Sequence, residues 1–203
     1  MNRCDFLYRI ANHLMMKSAF IDDIGLYHGK MGIILFFFHF SKYANNSVYE
    51  DFANELLNDL YDEISVDMPL NFEYGLSGIG WGLHYILQNQ FVEGDVDIVL
   101  SEIDNKIMEC NLCRMQDETM KTGSKGILCY INKRIFCNSD FFETSFVLEI
   151  EKIKSKMCFC DLSDDVKLLH LICSSPPKNN NILNWPLGLM GGCAGLGLKL
   201  VMK

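Results

Sequence analysis

Apolar positions along this chain recur at helical spacing, in two distinct styles. From Val48 to Ile64, Val48, Phe52, Leu56, Leu60 and Ile64 repeat every four residues, with Tyr49, Ala53, Leu57 and Tyr61 in the adjoining row. Acidic residues and Asn58 fill the other side, which predicts a helix with one wet face. Asn46 or Ser47 is placed to cap it. A second such helix is expected over Asp95 to Cys110, capped by Asp95, with Val96, Val99, Leu100, Ile103 and Ile107 inward and Asp97, Glu102, Asp104 and Lys106 in water. Phe6 to Met16 and Phe142 to Met157 read the same way, and Leu162 to Cys173 is expected to add another helix.

The other style is apolar on all sides. Gly32 to Phe40, Ile79 to Leu87, Ile127 to Ile135 and Leu196 to Met202 have no wet face, so they predict helices buried all round. The chain therefore alternates outer, half-wet helices with inner, dry ones. No stretch combines strand-length alternation with hairpin residues, and an all-α fold is expected.

Each inner segment follows the same Gly-x-x-Gly signature: Gly29 and Gly32, Gly75 and Gly78, Gly123 and Gly126, Gly192 and Gly195. The first three start 46 and 48 residues apart and the fourth 69 further on, a period that marks stacked helical hairpins. Glycine suits a sharp turn into a buried helix because it tolerates positive φ and very close backbone contact. The loop 174–184, rich in Pro and Asn, is the strong breaker before the last repeat. One domain over 1–203 is the expected organisation.

Composition narrows the functional classes. The chain has 203 residues, 49% of them hydrophobic and 22% charged, which suits an ordered globular protein. A net charge of −8 without a dense Lys/Arg cluster argues against nucleic acid as a partner. The most apolar run, Met31 to Phe38, is too short for a membrane span. The first 16 residues are broken by Arg3, Asp5, Arg9 and His13, so no secretory signal is seen and a cytoplasmic location is expected. Nine cysteines at irregular spacing read as buried thiols rather than a disulfide framework.

Gly25-Leu26-Tyr27-His28-Gly29-Lys30-Met31-Gly32, the run Phe72 to Leu83 (with Gly75-Leu76-Ser77-Gly78), and Gly191 to Leu198 resemble the lanthionine synthetase C-like family. The resemblance implies an α/α toroid-like stack of helical hairpins, here incomplete relative to the family's seven-hairpin barrel. It also implies bacterial peptide modification of the lanthipeptide type. In that chemistry a zinc ion activates a peptide cysteine, which adds to a dehydrated serine or threonine. The family's zinc ligands lie in Trp-Cys and Cys-His-Gly motifs. Neither occurs in this sequence: Trp81 precedes Gly82, Trp185 precedes Pro186, and no Cys-His pair exists. No metal and no cofactor is therefore expected, and a pseudoenzyme that binds a ribosomal peptide or a modifying enzyme is the leading reading. An enzyme acting on peptides or carbohydrates, and a structural homodimer, are the alternatives.

Candidate binding residues follow from the turns. His28 precedes the first inner helix, Glu73 and Tyr74 precede the second, and His84 lies on the second; all four are expected at the mouth of a cavity. No catalytic residue is assigned. Cys110-x-x-Cys113 with Cys158-x-Cys160, and His170 with Cys173, are the weaker candidates for metal ligation.

Overall fold

The computed structural model describes residues 2–137, 142–156, 164–174 and 181–203. Among these there is no strand. The helices in chain order are α1 (Arg3–Lys17), α2 (Lys30–Ala44), α3 (Val48–Glu63), α4 (Leu76–Gln88), α5 (Val96–Met108), α6 (Ser124–Phe136), α7 (Thr144–Lys156), α8 (Asp165–Ile172) and α9 (Cys193–Val201). The chain divides into two compact units, one of residues 1–64 with 169–203 and one of residues 65–168.

The two styles of sequence become two kinds of helix. In α3, Tyr49, Ala53, Leu56, Leu57 and Leu60 are buried while the acidic side stays wet. Its first turn is held by Asn46, whose Oδ1 accepts the Val48 N–H at 3.1 Å, whereas the Ser47 side chain makes no cap bond. Asp95 caps α5 as expected, its Oδ1 accepting the N–H of Asp97 and Ile98. Asp104 corrects the reading of α5: it is fully buried, not in water. Leu100, Ile103, Asp104 and Ile107 form one inward stripe at helical spacing, and an arginine of α6 supplies the counter-charge.

In the first unit α2 lies against α3 and α9, and α1 lies against α9. From Lys30 to Phe38 every residue of α2 is buried. Phe36 stacks on Phe40 at 5.4 Å, and Phe37 and Phe40 meet Phe52 and Tyr49 edge-on at 4.9 and 4.7 Å. Such pairs add about 0.5–1.5 kcal/mol each beyond area burial. In the second unit α4 lies against α5 and α6, with every residue from Leu76 to Ile86 buried. Trp81 stacks on Tyr85 at 5.4 Å, and Lys133 sits 5.5 Å from the Trp81 ring while pairing with Asp165.

The inner helices begin earlier than the apolar runs suggest, at the residue after the first glycine of each pair. Gly29, Gly75, Gly123 and Gly192 are the caps, with φ of −100°, −109°, −104° and −120° and ψ near −170°. This is extended backbone open to any residue, so positive φ is not why glycine stands there. Close approach is. The N–H groups of Lys30, Leu76, Ser124 and Cys193 donate to the carbonyls of Asp23, Pro69, Asp117 and Pro186, each seven residues upstream, at 2.8–2.9 Å. This clasp brings the accepting oxygen onto the preceding glycine. A Cβ at any of these four glycines would fall within 3.0 Å of that oxygen.

The same close packing joins the loops in pairs. In the first unit, loop 186–192 lies on loop 23–29, where the Met190 N–H donates to the Tyr27 carbonyl at 2.9 Å. In the second, loop 69–75 lies on loop 117–123, where the Glu73 N–H donates to the Lys121 carbonyl at 3.0 Å. The second glycine of the receiving helix admits an apolar side chain of the neighbouring loop, Leu189 against Gly32 and Phe72 against Gly126. Five residues past the first glycine, Gly197 and Gly80 admit the rings of Phe36 and Tyr130. The two units thus repeat one packing rule, position for position.

Gly75→Ala and Gly195→Ala should each destabilise the protein by about 1–3 kcal/mol through backbone overpacking. Gly94→Ala, where a Cβ meets the flexible end of Leu87, should stay within about 0.5 kcal/mol. Urea unfolding of the three variants checks the contrast.

Candidate functional site

Short polar side chains shape the entry loops. Asp23 Oδ1 accepts the Gly25 N–H at 2.7 Å, and Asp117 Oδ1 accepts the Thr119 N–H at 2.8 Å. Asn71 Oδ1 does the same for the Tyr74 N–H at 3.0 Å. The first two are Asx turns and the Asn71 bond reaches one residue further; such bonds hold a loop without regular structure. Hydrogen bonds from Thr122 and Thr119 hold the Asp117 carboxyl below its ordinary range.

Of the expected site residues, Glu73 and Tyr74 share one loop of the second unit. Tyr74 is 43% exposed, a phenol offered to solvent. Glu73 is half-buried and accepts from Lys121 Nζ at 3.0 Å, which ties its loop to the neighbouring one. His28 stands exposed in the equivalent loop of the first unit, beside buried Tyr27. His84 is placed differently: it lies on α4 beyond the entry loop, and its cleft is at the C-terminal end of that helix.

That cleft, of about 190 Å³, is lined by His84, Gln88, Asp95, Asp97, Arg134 and Cys137 among others. Beneath it runs a buried charge network. Arg134 donates from Nε and NH2 to Asp104 Oδ2, at 3.0 and 2.6 Å, and from NH2 to Asp97 Oδ1 at 2.8 Å. Tyr130 OH donates to Asp104 Oδ1 at 2.6 Å. Burial pushes the Asp104 carboxyl above its ordinary range, against the pull of hydrogen bonds from Arg134 and Tyr130. Burial also works against charge on Arg134, but its bonds to Asp104 and Asp97 outweigh that and raise its pKa. His84 is 1% exposed, and neither ring nitrogen has a hydrogen-bond partner on another described residue. Burial, then the charges of Lys133 and Arg134, pull its pKa down to about 3, so the ring is neutral at pH 7.

The reading of the sequence missed Arg134, Asp104 and Tyr130. The available signal was the i, i+3, i+4, i+7 spacing of Leu100, Ile103, Asp104 and Ile107, which puts an aspartate on a core stripe and calls for a buried cation.

Among the described residues no three of His, Cys, Asp and Glu are arranged to hold a metal ion. Burial pushes the thiols of Cys173 and Cys193 up to about 12 and about 11, and that of Cys110 upward, whereas a zinc ligand must be a thiolate. His170 is exposed while Cys173 is buried, so they do not form a joint site. Cys158 and Cys160 lie outside the described residues. The described donors are not arranged as the zinc site of lanthionine chemistry requires.

Among the described residues, no helix is long and apolar enough to cross a membrane. The fold defines an all-α protein of helical hairpins whose buried members start at carbonyl-clasped glycines. The chain belongs to the lanthionine synthetase C-like family: the model of the lanthionine synthetase C-like protein matches residues 21–181. The match takes in the first three entry loops, and the fourth is tied to them by its identical clasp. No curated protein and no solved structure matches.

Arg134→Met should cost about 3–5 kcal/mol, because it leaves Asp104 buried and unpaired. Adding Asp104→Asn, which still accepts from Tyr130, should recover most of the loss in chemical denaturation. The His84 ring predicts a pH slope. Its folded pKa of about 3 lies below the ordinary 6.5, so between these values only the unfolded chain takes the proton. Stability should therefore fall as pH drops from 6.5, by at most about 1.4 kcal/mol per pH unit from this group. Unfolding at pH 7 and pH 5 should show a smaller drop for His84→Gln than for the unaltered chain.

Proposed function

We propose that this protein is a zinc-less relative of the lanthionine cyclase in a bacterial peptide-modification system. It holds a peptide, or the enzyme that modifies it, without closing thioether rings itself. Family membership carries the first part of this reading. The absent Trp-Cys and Cys-His-Gly motifs carry the second. A cyclase without a metal lacks the means to make a peptide thiol nucleophilic near neutral pH.

Each unit has its own candidate contacts on its entry loops in this reading: Tyr74 and Glu73 in one, His28 in the other. Tyr74 offers an amphipathic ring at little entropic cost, the kind of side chain that anchors peptides. Glu73, fixed by Lys121, ties the loop that carries this ring to its neighbour.

The test uses a dehydrated, cysteine-containing precursor peptide. Fluorescence anisotropy should show saturable binding, and thiol alkylation followed by mass spectrometry should show no loss of free cysteine. Tyr74→Ala should weaken binding about tenfold, equal to about 1.4 kcal/mol. Stoichiometric zinc that survives chelation, or ring closure by the purified protein, would overturn the reading.

A further inference from the structure

The cleft at the C-terminal ends of α4 and α6 has chemistry of its own, separate from the entry loops. Its deepest groups are His84 and Arg134, each 1% exposed. Its outer groups are Asp95 and Asp97, both exposed. The charges of the floor are already paired: Arg134 with Asp104 and Asp97, and Lys133 with Asp165. A ligand cation finds no unpaired counter-charge there among the described residues and meets a neutral imidazole. The mouth is electronegative, since Asp95 and Asp97 stand against the single charge of Arg134 among the lining residues, and it turns anions away. What remains is an uncharged group whose own dipole runs from a negative end on the floor to a positive end at the mouth.

A neutral imidazole carries one N–H donor and one acceptor nitrogen, and neither is matched by another residue described here. A volume of about 190 Å³ is several times the share of one water in the liquid, about 30 Å³. It suits a group of side-chain size. Ile98 and Phe136, 75% and 76% exposed, stand next in the chain to the lining residues Asp97 and Cys137.

The geometry points to this cleft as a binding site for an uncharged carboxamide, its carbonyl turned to His84 and Arg134 and its amino group to Asp97. The carboxamide is the small neutral group that pairs a strong acceptor with two donors at opposite ends of one dipole. It can arrive on a free small molecule or as an asparagine or glutamine side chain of a peptide, whose apolar neighbours would then rest on Phe136 and Ile98. The site does not depend on the reading of the entry loops.

The experiment is an NMR titration of the full chain, following the backbone amides of Val96, Asp97 and Cys137. The probes are N-acetylglutamine methylamide and its glutamate and lysine counterparts. A saturable shift with the glutamine probe is expected, about tenfold or more tighter than with the charged probes, the scale set by one unmatched buried hydrogen bond. A capped Phe-Gln-Phe peptide separates the sources. Tighter binding than the single residue, lost in Phe136→Ala, assigns the site to peptides, and equal binding assigns it to free amides. His84→Gln should abolish saturation. So should Cys137→Trp, which fills the mouth from an exposed position and leaves the buried network intact. No saturable shift, equal binding of the charged probes, or unchanged affinity in either variant would overturn the assignment.

Discussion

Everything in this protein starts from a carbonyl oxygen pressed onto a glycine. In each entry loop the chain doubles back over seven residues, and the N–H of the first helical residue takes a carbonyl from the loop's start. The glycine beside that N–H is then so close to the same oxygen that no side chain fits. This closure satisfies one of the N–H groups a helix leaves unpaired at its start. It does so with backbone alone, where most helices use a capping side chain. A helix capped this way can be buried from its first turn. That is why α2 and α4 carry unbroken buried runs rather than a stripe.

The clasp also explains why the loops come in pairs. Each closed loop is a compact disc of backbone, and two such discs stack with an interloop hydrogen bond at the same position in both units, joined in the second by one from the Phe72 N–H to the same Lys121 carbonyl. The later glycines then set how near the helices approach. Gly197 takes the Phe36 ring and Gly80 takes the Tyr130 ring, in each case on the helix whose loop donates. Small residues at fixed offsets from the entry thus make the glycine signature a three-dimensional rule. Its recurrence at residues 186–195, beyond the span matched by the family model, shows the rule operating where sequence wording alone had thinned.

The outer helices were legible because a wet face and a dry face leave a visible period. The inner ones were legible as elements but not at their starts, since Lys30 and Ser124 look polar until their partners are known. Lys30 pairs with Glu63, and the Ser124 hydroxyl bonds the Asp117 carbonyl at 3.3 Å. Asp104 was misread for the same reason. A charge on a core stripe looks like a surface residue unless Arg134, thirty positions on, is seen to reach it. Local periodicity ranks residues by hydropathy, and a buried ion pair is where that ranking fails.

Function divides along the same line. The entry loops are contiguous segments, so His28, Glu73 and Tyr74 could be picked out from sequence as side chains of one loop position or its neighbour. The far end of α4 and α6 is assembled from pieces up to about fifty residues apart in the chain, His84 from one helix and Arg134 from another. Nothing local announces it. Yet it is there that the protein keeps a neutral imidazole unmatched beside a satisfied ion pair, an arrangement that packing alone does not require. A core that needed only volume at this position would be more stable with an apolar ring, since a buried polar group without a partner costs about 1–3 kcal/mol. The Arg134–Asp104–Tyr130 network can be understood as structure, because every member answers another. His84 answers none of them. That asymmetry is what the proposed site draws on, with the network beneath it as the frame that holds the charge in place.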